Sequence, residues 1–405
     1  MILDGYETLG GKHPETAALK NILAYHGVTA SHTGQPFSEA MLLGVGGGLG
    51  IGYILWEFKE PAIKALVLGF RNNWQYPVKF MRNLCDRMGV TLSVRETSGK
   101  KSAAAHLREA LENGRPAIAW VDLAGLPYML LPKSWSGHWG HVVGVYGIDE
   151  ERDVVLVDDR STKPFTVPTG AFAAARARIP SFRNRLMTID PPAEIDVEHA
   201  ILAGIRDCAD HLSRPSESFS LPAIRKWARL ITDAENKKGW LRVFEDRADN
   251  KHPKGLFSTL RSIFENAHPI GPGGGSLRDM VADFLDEASP VIERPELKDV
   301  ADLYRAIAAQ WVKLAESALS SVEPFKRIKR LLIQKHELLM AVGQNGLDEM
   351  QKVTDELSSM RSELNRHFPM GDSEVEGLFA ELQAQLFDIY RAERDANAAL
   401  KAAVG

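Results

Sequence analysis

"HVVGVYGIDEERDVVLVDDRS", residues 141–161, decides the fold of the first half of the chain. Two β-branched runs flank a charged turn at 149–153, and the pattern runs on into "FTVP" at 165–168, so consecutive antiparallel strands are predicted. "PAIAWVDL" (116–123) and "VTLSVRET" (90–97) read as further strands, and "AIKALVLGF" (62–70) as a strand or a buried helix. Helices are predicted at 13–26, closed by Gly27; at 38–43, capped by Ser38; at 77–89; and at 103–113, closed by Gly114. Helices first and hairpins after predict an α+β domain with an antiparallel sheet rather than a parallel doubly wound one.

Composition changes at "DPPAEID", residues 190–196, beyond which strand signals almost vanish. Val300, Leu303, Tyr304, Ile307, Trp311 and Leu314 fall at helical spacing, as do Leu378, Leu382, Leu386 and Ile389. The expected division is therefore 1–192, α+β, and 193–405, an all-α domain of six to eight helices. A chain of 405 residues is long enough for two such cores. A net charge of −4 and a pI near 6.3 give no nucleic-acid footprint and no polybasic membrane surface. The start "MILDGYETLGGK" lacks the apolar stretch of a secretory signal, and two cysteines, Cys85 and Cys208, make neither a disulfide framework nor a zinc site. A reduced, cytoplasmic protein is the expectation, without membrane, metal or cofactor.

The glycine loop "GVGGGLGIG" (44–52) fails as a nucleotide-binding motif, because no register gives G-x-G-x-x-G and no Gly-Lys-Ser/Thr follows. Close packing, or a wall for a substrate at Gly46, Gly47 and Gly48, is the reading that stands. The cluster "GPGGGSLRDM" (271–280) fails the same tests and is expected to lead into a helix carrying Ser276, Arg278 and Asp279. His138 and His141 lie three apart, but a strand opens at His141 and turns the two to opposite faces, which argues against a metal. The hairpin offers a different pair. His141 opens one strand, Asp158 and Asp159 close the next, and an aspartate there would fix the imidazole tautomer. Alternation lets only one of the two face His141, and spacing does not choose between them. A half-buried histidine beside a turn aspartate is the plain alternative.

"KHPETAALKNILAYHG" (12–27), "SEAMLLGVGGGLGIGYI" (38–54) and the 141–161 hairpin, in that order, resemble the N-terminal domain of the butirosin-biosynthesis acyltransferase family, BtrH-type. "HPIGPGGGSLRDMVADFLDEAS" (268–289) and "YRAIAAQWVKLAE" (304–316) resemble the helical domain that commonly follows it. The resemblance implies a papain-like α+β domain, distantly related to bacteriocin-leader peptidases. It also implies transfer of an acyl group from a carrier-protein thioester to an amine. The family pattern has His-Cys at the first helix start, the cysteine acting as nucleophile with the strand His and Asp as partners. Here His13 is followed by Pro14, which fits the first helical turn and attacks nothing. Thr16 lies about 200° further round the helix and does not replace the thiol.

Three functions fit these residues. The first is acyl transfer or amide formation without a covalent intermediate, in which His141 is the base and Asp158 or Asp159 orients it. First-turn amides near Pro14 would bind the oxyanion, and His13, Pro14, Glu15, Thr16 and Gly46–Gly48 would contact substrate. Its partners are a small-molecule amine acceptor and an acyl carrier protein or other thioester donor. The second is a non-catalytic scaffold partner in a biosynthetic pathway, and the third is condensation or cyclisation in the same pocket. The helical half is expected to bind the carrier, cover the pocket or form a homo-oligomer interface. Amphipathic stripes fit all three, and core packing besides.

Overall fold

The 141–161 stretch forms the centre of the sheet in the computed structural model, which describes residues 1–58, 63–245, 255–271 and 276–405. Strand β5 (Gly140–Asp149) turns into β6 (Val154–Asp158), which pairs in turn with β7 (Phe165–Pro168). On the other side β5 pairs with β4 (Ala117–Asp122), and β8 (Leu186–Asp190) joins β4 to β3 (Thr91–Arg95). The six strands run β3-β8-β4-β5-β6-β7, with every neighbour antiparallel. The fold is α+β with an antiparallel sheet, followed by a helical part.

Helix α1 (Pro14–Tyr25) and short α2 (Glu39–Val45) precede a separate hairpin, β1 (Leu49–Phe58) and β2 (Ile63–Arg71). Ser38 caps α2, its hydroxyl accepting the Met41 N–H at 2.9 Å. Helices α3 (Pro77–Arg87), α4 (Lys100–Glu112) and α5 (Thr169–Arg178) complete the first part. After it come α6 (Val197–Ser213), α7 (Pro222–Ile231), α8 (Trp240–Val243), α9 (Leu256–Ala267), α10 (Arg278–Val291), α11 (Glu296–Ala318), α12 (Glu323–Glu337), α13 (Leu347–Arg366) and α14 (Asp372–Val404). Among the described residues that makes nine helices, against an expected six to eight. Residues 272–275 of the second glycine cluster lie outside the described residues.

The compact units do not divide the chain at one point near 192. One comprises Met1–Leu42, Cys85–Val197 and Gln334–Asp355; the other comprises Leu43–Leu84, Glu198–Ile333 and Glu356–Gly405. The β1–β2 hairpin belongs with the helices because its apolar side chains are buried there. Tyr53 stacks on Trp227 at 5.3 Å and accepts the Trp240 indole N–H at 3.1 Å, and the Ser262 hydroxyl donates to the Leu66 carbonyl at 2.6 Å. Conversely, residues 334–355 belong with the sheet. Gln344 accepts the Thr166 N–H at 2.8 Å and donates to the Thr166 carbonyl at 2.8 Å, so one side-chain amide covers the open edge of β7 as a neighbouring strand would.

Alternation sorts the sheet into two faces. Ala117, Ala119 and Val121 of β4, Val143 and Val145 of β5 and Val157 of β6 pack with Leu107 and Ala110 of α4 and Phe172 and Ala175 of α5. Gly144 and its register partner Asp158 turn to the other face, where Asn21 of α1 reaches Asp158. In the helical unit the Val300, Tyr304, Ile307, Trp311 and Leu314 stripe is buried as its spacing predicts, whereas Leu303 is exposed.

Candidate functional site

Strand β5 begins one residue before His141 and pairs it in register with Val121, which puts the imidazole on the face that α4 and α5 cover. Residue 159 follows the last residue of β6, and alternation turns it to that same face, away from Asp158. Asp159 is therefore the partner: His141 Nε2 lies 2.9 and 3.0 Å from its two oxygens. The Tyr128 hydroxyl donates to Oδ2 at 2.9 Å, and the Arg160 guanidinium donates through Nε to Oδ1 at 3.0 Å. Burial pushes this carboxyl up, but the His141 and Arg160 charges outweigh it and hold Asp159 well below the usual carboxylate range. Tyr128 is raised, by burial first and then by the Asp159 charge, so its proton stays on the phenol oxygen.

These contacts orient the ring. An ionised Asp159 accepts only, so Nε2 carries a hydrogen, and Nδ1, which makes no hydrogen bond among the described residues, is the nitrogen left to exchange a proton. Arg160 has φ +61°, a left-handed turn that folds its side chain back over the carboxylate.

Asp158 sits in a different environment. Its Oδ2 accepts the Asn21 amide at 2.6 Å and the Tyr6 hydroxyl at 2.7 Å, while its Oδ1 is buried without a partner. Burial pushes this carboxyl up to about 6, against the pull of the Asn21 and Tyr6 hydrogen bonds. Of the two aspartates named by the sequence, the structure brings only Asp159 to His141.

The start of α1 is tied to the same end of the sheet. Gly11 N–H donates to the Arg160 carbonyl at 2.7 Å, and the Thr8 hydroxyl donates to the Thr162 carbonyl at 2.9 Å. Pro14 is the first residue of the helix and His13 precedes it. The helix is capped by a carboxylate from α2. Glu39 accepts the Lys12 N–H at 2.8 Å, the His13 N–H at 2.6 Å and the Thr16 hydroxyl at 2.9 Å. Such a charge suits the positive end of a helix. His13 Nε2 lies 3.2 Å from Glu15, and its Nδ1 lies 3.3 Å from the Thr16 hydroxyl. His13, Glu15 and Thr16 are all buried.

Gly46, Gly47 and Gly48 belong to the other compact unit. There the Asn72 amide donates to the Gly47 carbonyl at 3.0 Å, and Gly48, at φ +58°, takes a backbone conformation that side chains rarely adopt, with a Cβ there only 3.0 Å from Cys208 Sγ. Both cysteines are buried, and burial pushes each thiol up to about 12, which leaves no thiolate for chemistry near neutral pH. Tyr128, Arg160 and Glu39 escaped the sequence reading. Arg160 was the accessible one, since it directly follows Asp159. Tyr128 lies in an aperiodic loop and Glu39 in a helix with no pattern linking it to α1.

Among the described residues no helix is long and apolar enough to cross a membrane, and no group of three or more His, Cys, Asp or Glu is placed to hold a metal ion. Comparison with curated proteins finds no match. Residues 13–160 match the family described as "Butirosin biosynthesis protein H, N-terminal", and residues 171–337 match "Domain of unknown function (DUF4872)". The first match begins at His13 and ends at Arg160, so it contains α1, His141 and Asp159; the second follows it directly along the chain. With these two matches in this order, the chain has the BtrH-type domain architecture.

Proposed function

We propose that this protein forms amide bonds by moving an acyl group from a thioester, such as that of an acyl carrier protein, directly to a small-molecule amine. The BtrH-type match implies a biosynthesis-related, acyltransferase-like function. The observation that carries the finer reading is the orientation of His141, with Asp159 on Nε2 and Nδ1 left to exchange a proton. A thioester is already activated, so an oriented amine and a base suffice, and proximity supplies much of the rest. Nδ1 takes the proton from the attacking nitrogen, the new N–C bond forms, and the C–S bond breaks with its electron pair leaving on sulfur, so that amine plus thioester become amide, thiolate and the protonated imidazole. Asp159 stabilises the imidazolium so formed, while Tyr128 and Arg160 keep the carboxylate aimed. A covalent route is not part of this reading, because residue 14 is proline and both thiols are buried and protonated. No oxyanion role goes to α1, whose positive end holds Glu39.

The test is turnover of acyl-N-acetylcysteamine thioesters with a panel of primary diamines and amino alcohols, followed by mass spectrometry. His141→Ala is expected to lower kcat/KM by about 10²–10⁴-fold, and Asp159→Asn by about tenfold or more, at unchanged fold. Cys85→Ala and Cys208→Ala are expected to keep activity. Wild-type rates in His141→Ala, or an acyl-cysteine trapped in the wild type, overturn the reading. A protein inert with every donor and amine, yet binding a carrier protein, favours the scaffold alternative.

A further inference from the structure

Asp159 holds His141, and three short routes lead from the groups around Asp159 to one stretch of chain, residues 335–344. On the first, the Ser161 hydroxyl, two residues after Asp159, donates to the Met340 carbonyl at 2.8 Å and accepts the Lys163 N–H at 2.9 Å. Ser161 is buried, and its own N–H donates to the Asp159 carbonyl at 2.7 Å. The hydroxyl therefore ties the Asp159–Arg160 turn, whose guanidinium sits on Oδ1, to residue 340. On the second, Lys335 Nζ donates to the Leu130 carbonyl at 3.2 Å, two residues after Tyr128, whose phenol sits on Oδ2. On the third, Gln344 exchanges hydrogen bonds with Thr166, and the neighbouring Phe165 ring stacks on Tyr128 at 4.2 Å.

The stretch is shaped to lie there. It makes a π-helical turn at Leu338–Val342, and Leu339 packs in the sheet core with Tyr128, Val157 and Phe165. Gly343 follows at φ +65°, and a Cβ there would lie 2.8 Å from the Lys163 Cβ, so glycine lets the chain close on the segment after Asp159. Met340 and Gln344 lie beyond both family matches, which end at residues 160 and 337. We propose that residues 335–344 are a positioning element of the candidate site, holding Asp159 and Tyr128 in the geometry that aims His141. Ser161, Lys335 and Gln344 are its positioning residues, and they act through Asp159 and Tyr128. Their effect on turnover rests on the acyl-transfer reading above; their effect on the His141–Asp159 contact does not.

Two variants of the full-length chain test this, Ser161→Ala and Lys335→Met, alone and combined, since each removes one tether and no partner of Asp159. Proton NMR supplies a measurement independent of activity. The His141 Nε2–H, hydrogen-bonded to Asp159, is expected as a resolved downfield signal in the wild type. In the double variant that signal is expected to broaden through exchange with solvent. Its kcat with acyl-N-acetylcysteamine thioesters and amines is expected to fall about tenfold or more, with KM within about twofold. Gln383→Ala, which removes a side-chain tether to Ala228 and Thr232 in the helical unit, is expected to change neither. An unaltered signal or wild-type kcat in the double variant, or an equal loss in Gln383→Ala, overturns the positioning role. If Ser161→Ala does not fold, Lys335→Met decides alone by the same signal. A wild type inert with every donor and amine overturns the acyl-transfer reading, and the N–H signal still decides whether residues 335–344 hold Asp159.

Discussion

Asp158 and Asp159 are neighbours in sequence with opposite electrostatics, because a one-residue step reverses the face of the sheet. Asp159 gains His141, the Arg160 guanidinium and a phenol; Asp158 gains two neutral donors and the Lys20 charge, which together do not offset its burial. The sign of the pH effect follows. A carboxyl at about 6 in the folded protein, against an ordinary 3.8, binds its proton more tightly when folded. That stabilisation is complete below about pH 4 and is lost as pH rises through 6, by about 3 kcal/mol in all. Asp158→Asn keeps an oxygen for Asn21 and Tyr6 and removes the charge. Melting temperatures between pH 4 and pH 7.5 are expected to show a flatter profile in Asp158→Asn than in wild type, with the variant at least as stable at pH 7.5. An unchanged slope would mean that Asp158 does not titrate in this range. Asp159→Asn is expected to keep most of that slope, since burial is the largest cause of the Asp158 shift and the Asp159 charge a smaller one.

Among the elements, α1 owes its position to its approach rather than to its own sequence. Residue 11 has no room for a side chain: a Cβ there would lie 2.4 Å from the Ala17 Cβ and 2.9 Å from Glu39 Oε2. Gly11→Ala therefore forces the helix start away from its carboxylate cap and from Arg160. A loss of about 1–3 kcal/mol in urea denaturation is expected, together with a fall in turnover larger than the stability change explains. Full stability in Gly11→Ala would show that the approach adapts freely. This packing also marks where sequence reading stopped. The β5–β6 hairpin was legible because alternating β-branched residues and a charged turn are local signals, and Pro14 marked its helix start for the same reason. The first residues of β1 are part of a glycine-rich run in the sequence, since "GLGIGYI" lacks alternation until Tyr53 meets Trp227, a residue 174 positions away. Glu39 as the cap of α1, and Tyr128 on Asp159, are tertiary facts with no periodicity to announce them.

At the scale of the whole chain, units assembled from interleaved segments need specific partners to hold distant pieces together, and Arg278 with Glu393 is one such pair. Both are completely buried, with Arg278 Nε 2.7 Å from Glu393 Oε1. The Trp311 indole N–H donates to the same oxygen at 2.9 Å, Arg278 donates to the Ser276 carbonyl at 2.7 Å, and its guanidinium lies over the Phe70 and Trp311 rings. Arg278 lies within the DUF4872 match, Phe70 within the N-terminal match, and Glu393 on α14 beyond both. The helical core is thus completed by residues outside the segment that its family match covers. Removing one partner leaves a buried charge uncompensated, whereas removing both leaves an apolar surface that repacks. Glu393→Ala is expected to destabilise the full-length protein by about 3–5 kcal/mol, and Arg278→Met combined with Glu393→Leu by less than half of that. Chemical denaturation of the two single variants and the double variant measures the coupling. Additive losses would show two independent packing defects, and with them the claim that α14 neutralises a charge in the domain before it would fail.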